Sequence, residues 1–133
     1  MKLILLSVVL SASTNCFSQF YLGYPVAQVK KMAVKSGTNI KLESSYEDGN
    51  LFIGWYDNYV RETVCFKKGI SWLFTLAPTS DGALKGLIKQ FNERYIKISD
   101  EHWKAYLNGK VYNIVLTYLD ESSSYVFGIS QAK

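Results

Sequence analysis

Histidine, arginine, proline and cysteine are all scarce in this 133-residue chain, and most of these scarcities remove a class of function. A charge-relay hydrolase needs an imidazole between nucleophile and carboxylate, and zinc takes several His or Cys ligands at characteristic spacings. The chain has one histidine, His102, and two cysteines, Cys16 and Cys65. No metal and no cofactor is expected. Arg61 and Arg94 are the only arginines among 15 basic residues. Nucleic-acid binders concentrate Arg and Lys in a stripe, with Arg favoured for bidentate contacts. Here Lys30, Lys31 and Lys35 fall on one predicted helix and Lys85 and Lys89 on another, as solvated faces, so no nucleic-acid partner is expected. No apolar run approaches the roughly 20 residues of a membrane-crossing helix, so no transmembrane segment is expected. There is no phosphate-cradling glycine loop. Glu47-Asp48-Gly49-Asn50, the nearest approach to a calcium loop, reads better as a hairpin turn.

What is present begins with an export signal. Met1-Lys2 is a short positive start, Leu3 to Leu10 an apolar stretch, and Ser11 to Asn15 a small, polar exit. A cut after Ser18 makes residues 1–18 the signal peptide and 19–133 a single α+β domain, about 115 residues and a usual domain size. The protein is expected in the periplasm or outside the cell. A lipidated cysteine is normally preceded by a Leu-like residue three places back and by Gly, Ala or Ser directly before. Ser13 and Asn15 hold those places, so lipid anchoring at Cys16 is the poorer fit. Cys65 is then the only cysteine of the mature chain, without a disulfide partner, so packing must stabilise the domain.

Pro25 sits in the first turn of a helix whose stripe is Val26, Val29 and Ala33, widened by Met32 and closed by Gly37. The period then changes to two. Ile40, Leu42 and Tyr46 face inward, Asp48-Gly49 turns, and Leu51, Ile53 and Trp55 resume the inner face with Phe52 and Tyr56 on the other. A third strand runs from Val60 to Lys67. A fourth, with Ile70, Trp72, Phe74 and Leu76 inward, stops at Pro78. The second helix, capped by Ser80 or Asp81, carries Leu84, Leu87, Ile88, Phe91 and Tyr95 at steps of three and four. Four more strands follow: Tyr95 to Ser99, Trp103 to Leu107, Val111 to Tyr118 and Tyr125 to Ser130. The whole is two helix-plus-four-strand units, an internal repeat of elements without a residue-level repeat. It implies a largely antiparallel sheet with helices on one face. One continuous sheet and two packed sheets are both open.

Two resemblances follow from these segments. The Gly23-to-Val29 helix start, the Val64-Cys65-Phe66 strand and the Trp103, Tyr106, Gly109 spacing, with the signal and the Lys-over-Arg bias, resemble small exported proteins of the Bacteroidota, many of unknown function. The doubled order of elements is similar to that of the β-lactamase inhibitory proteins, which bind an enzyme across a curved sheet. That likeness is of topology alone, and the inhibitors' paired disulfides are absent here.

For chemistry, the sequence offers Cys65 and His102 as a thiol–imidazole pair, or carboxylates dispersed along the chain. No nucleophile motif surrounds either residue, so activity as an enzyme is not the default. The richer signal is aromatic: three Trp, ten Tyr and seven Phe. Parity assigns Phe52, Tyr56, Leu73, Val111, Val115 and Val126 to the sheet face without helices. Small or polar residues lie between them, among them Gly54, Thr63, Cys65, Ser71, Thr75, Asn113 and Gly128. A face half apolar and half small and polar suits docking. The expected function is a non-catalytic binding module for a protein or small-molecule ligand, with Phe52, Tyr56, Cys65, Leu73 and Asn113 as binding residues. A small hydrolase and a structural component of an envelope assembly, joined through an edge strand, are the alternatives.

Overall fold

The structure is a computed structural model and describes residues 20–36 and 40–133. The expected signal at residues 1–18, with Cys16, and the helix-capping Gly37 lie outside the described residues. Helix α1 (Val26–Ser36) is followed by β1 (Glu43–Glu47), β2 (Asn50–Asp57), β3 (Val60–Lys67) and β4 (Ile70–Pro78). Helix α2 (Asp81–Arg94) is followed by β5 (Ile96–Ser99), β6 (His102–Leu107), β7 (Lys110–Leu119) and β8 (Ser124–Gln131). All eight strands join one antiparallel sheet in the order β1-β2-β3-β4-β8-β7-β6-β5. The expected α+β architecture is therefore the observed one, as a continuous sheet rather than two packed sheets.

Local chemistry explains the hairpins. Asp48-Gly49, Lys68-Gly69 and Asn108-Gly109 each place both turn residues at positive φ, the primed geometry whose twist matches that of paired strands. Ser80 caps α2, its hydroxyl accepting from the Ala83 N–H at 3.1 Å. Val29 and Ala33 of α1, and Leu87 and Phe91 of α2, join Ile53, Trp55, Val64, Phe74, Trp103, Ile114, Phe127 and Ile129 in one buried cluster. Both helices thus lie on one side of the sheet.

Two expectations about faces are corrected. The first concerns Ile70 and Trp72, expected in the core but 45% and 50% exposed. The register slips between Cys65 and Phe66: Cys65 faces Leu73, whereas Phe66 faces Ser71. One extra residue on β4 is a β-bulge, which turns Trp72 out of the core and brings Ser71 in. Ser71 is 3% exposed, and its hydroxyl accepts from the Tyr24 N–H at 3.0 Å. Ser71 therefore does not belong to the open face, where parity had put it. The second is Tyr46, which is exposed, while Ile40 and Leu42 precede β1 and pack against the core.

The segment before α1 has no periodicity, yet it fills the middle of the core. Phe20, Tyr21 and Leu22 are all buried. The Phe20 ring lies 5.9 Å from Tyr95 and 5.3 Å from Tyr112, and the Tyr21 ring 5.4 Å from Trp55 and 5.1 Å from Phe74. Most of these edge-on contacts suit the ring quadrupoles. Backbone bonds from Gly23 N–H to Ser71 O and from Ser71 N–H to Tyr24 O, both 2.9 Å, tie the segment to β4.

The ladders of the two halves match in register. Thr75 of β4 faces Gly128 of β8, and on either side Phe74 faces Ile129 and Leu76 faces Phe127. Followed outward, Trp55 of β2 holds the place that Trp103 holds in β6. Asp57 corresponds to Ala105, and Glu62 to Ile114.

Candidate functional site

The open face is read directly from the pairing. Gly54 faces Thr63, Thr63 faces Thr75, Thr75 faces Gly128, and Gly128 faces Val115, which faces His102. This row of mostly small side chains crosses the sheet as a trough. Beside it, Phe52 faces Cys65 and Cys65 faces Leu73. Tyr56, Trp72 and Tyr106 stand on the same face, 59%, 50% and 60% exposed. Phe52 and Leu73 are largely covered by their neighbours, so the exposed area comes from Tyr56 rather than Phe52.

Arg61 shows how closely this face is built. Its guanidinium lies over Gly54, where an added Cβ would come within 2.6 Å of Nη2. It donates to Glu43 Oε1 at 2.6 Å and sits 4.8 Å from the centre of the Tyr56 ring. The half-exposed ion pair adds little stability. The stacking fixes a planar cation beside an aromatic ring. On the other half of the face, His102 Nε2 is 3.0 Å from Asn113 Oδ1.

Cys65 and His102 are not brought together. Cys65 is on β3 and His102 on β6, with β4, β8 and β7 between them. Four strand spacings come to about 19 Å, too far for proton transfer. Burial also pushes the Cys65 thiol up to about 11. At pH 8 its thiolate fraction is then about 0.1%, against about 10–25% for an exposed thiol. Alkylation of folded Cys65 is accordingly expected to run at least about 100-fold slower than in the urea-unfolded chain. Labelling at comparable rates in the two states would show the thiol to be accessible and activated. Among the described residues, no group of His, Cys, Asp and Glu is arranged to hold a metal ion, and no helix is long and apolar enough to cross a membrane.

No protein-family model, curated protein or solved structure matches this chain. The reading of its site therefore rests on the chain's own geometry.

That geometry holds a second feature, on the helix side. A cleft of ≈ 350 Å³ opens between α2 and the β2–β3 hairpin. Its apolar lining is Val60 and Leu76 from the sheet and Ala83 and Leu87 from the helix, and its carboxyl groups are Asp57 and Glu62. Burial, and then the neighbouring Asp57 charge, push the Glu62 carboxyl up to about 7, while a hydrogen bond from Trp55 acts the other way. Glu62 also shares a hydrogen bond with Asp57. The Glu62 carboxyl therefore stays protonated to higher pH than a solvated one.

The cleft was missed at the sequence level, although one of its signals was in view. Glu62 has the inward parity of Val60, Val64 and Phe66, and a carboxylate on the buried side of a strand is unusual. Its pairing with Asp57 depends on the register across the hairpin, and the opposite wall on where α2 docks.

Proposed function

We propose that this is an exported, non-catalytic binding module that engages a partner protein across the helix-free face of its sheet. The observation that carries this reading is a trough of small residues, from Gly54 to His102, flanked by the exposed rings of Tyr56, Trp72 and Tyr106. Exposed aromatic area of this kind is what partner-binding surfaces concentrate. The occupant is taken to be a protein because the row from Gly54 on β2 to His102 on β6 crosses six strands, a span of about 24 Å, longer than a small ligand. The apolar cleft between α2 and the β2–β3 hairpin also lies on the opposite side. Against a hydrolase stand the strand separation of Cys65 from His102 and the buried thiol.

The test is the double variant Tyr56→Ser, Trp72→Ser. Both side chains are at least half exposed, so the variant is expected to melt within a few degrees of the parent protein. A protein retained by the parent from the native exported fraction, and quantified by mass spectrometry, is expected to be lost by the variant. Retention of the same proteins by both forms would refute the reading. A fall in stability of several kcal/mol would instead place the two rings in the core.

A further inference from the structure

We propose that the cleft between α2 and the β2–β3 hairpin is a binding site for a small primary ammonium compound with an apolar stem, its charged head received by Asp57 and Glu62. The argument starts from the matching halves of the sheet. At the positions of Asp57 and Glu62, the other half has Ala105 and Ile114, both 0% exposed and part of the apolar core. The fold is thus satisfied by apolar residues at these places, and the desolvated carboxyl of Glu62 weakens rather than supports it, while Asp57 beside it is exposed. Where the second half has closed over its sheet, the first half keeps a cleft of ≈ 350 Å³, a volume in the range of small-molecule sites.

The lining selects the ligand class. Sheet and helix supply an apolar surface through Val60, Leu76, Ala83 and Leu87. A hydrated metal ion gains nothing from that surface, and calcium needs six or more oxygen ligands. An alkyl stem gains about 25 cal/mol for each Å² it buries. The charge in the cleft has one sign. Asp57 and Glu62 are acidic, Tyr59 is the other titratable group of the lining, and α2 and β4 face the cleft without a charged residue. The nearest arginine in sequence, Arg61, is on the opposite face and paired with Glu43. An ammonium head is the counter-ion this arrangement lacks. It displaces the proton held by Glu62, which passes to solvent, so affinity rises with pH as Glu62 ionises.

The helix has also left room. Gly86 lines the cleft in the middle of α2, where glycine is a poor helix former. A Cβ built at Gly86 meets no atom within 4 Å. Gly86→Leu therefore starts a side chain in open space on the lining of the cleft.

The inference is independent of the sheet-face reading, and the two fail separately. Its test is calorimetric titration of the mature chain with hexylammonium, with hexanol and hexanoate as neutral and anionic counterparts. Hexylammonium is expected to bind one-to-one at pH 8 with a Kd on the order of 1 mM. The other two compounds are expected to bind at least about tenfold more weakly. Near pH 7, heats measured in buffers of different ionisation enthalpy are expected to show proton release. Glu62→Ile and Gly86→Leu are each expected to abolish binding in a chain that melts no lower than the parent, whereas Tyr56→Ser leaves it unchanged. Absence of saturable binding at pH 8 overturns the proposal. So does equal binding of hexanol, or binding that survives in Glu62→Ile.

Discussion

Replacing Phe20 by alanine is expected to lower the free energy of unfolding by about 3–5 kcal/mol, the usual cost of emptying a fully buried aromatic site. Residues ahead of the first regular element are ordinarily the least ordered part of a domain and tolerate change. Phe20 departs from that pattern because its ring is 1% exposed and meets Tyr95 at the end of α2 and Tyr112 on β7. The cost has two parts: the lost transfer of the ring out of water, and the void left beside Tyr95 and Tyr112. Backbone strain is a minor consideration, since φ at Phe20 is 49° and alanine at that position is strained too. Urea unfolding followed by tryptophan fluorescence measures the change, with an unaltered m-value if the unfolded state is the same. A loss under about 1 kcal/mol would mean that the segment does not occupy the core in solution.

The second large effect is a dependence of stability on pH carried by Glu62. Its carboxyl is raised from 4.5 to about 7 by burial and by Asp57. A folded-state value above the unfolded one means that the folded chain binds the proton more tightly. The associated stability is fully present below pH 4.5 and is lost as pH rises through about 7. A shift of this size corresponds to about 3 kcal/mol. Glu62→Gln keeps an acceptor for the Trp55 N–H and offers Asp57 an amide donor at every pH. The variant is expected to match the parent near pH 4 and to exceed it by about 2–3 kcal/mol at pH 8. The decisive quantity is the difference between the two proteins at each pH, which cancels all other titrations. A difference that is flat from pH 5 to 8 would show Glu62 to be solvated.

The parts of this fold that the sequence makes legible are those in which period two or period 3.6 runs unbroken. Ile53 and Trp55, Phe74 and Leu76, and Leu84 to Phe91 fall where alternation or helical spacing puts them. The pattern misleads at Trp72 because a bulge adds one residue, and parity counts residues without sensing an insertion. It is silent on Phe20, Tyr21 and Leu22, whose burial depends on a hollow made by residues far along the chain. Sheet order is equally hidden. The pairing of β4 with β8 joins segments more than 50 residues apart, and no local signal encodes it. Of the candidate binding residues, Phe52, Tyr56, Cys65, Leu73 and Asn113 do lie on the face that parity assigned. The Asp57–Glu62 pair needed both register and helix docking before it could be seen.

The two halves of the sheet share only a short seam, three facing pairs between β4 and β8, whereas β7 and β8 share eight. The N-terminal aromatics straddle that seam, Tyr21 resting on Trp55 and Phe74 of one half and Phe20 on Tyr112 of the other. Two neighbouring side chains thus reach both halves from the helix side, where the backbone pairing between the halves is shortest. The junction of the two halves is therefore braced from behind, by how tightly these two adjacent rings are seated.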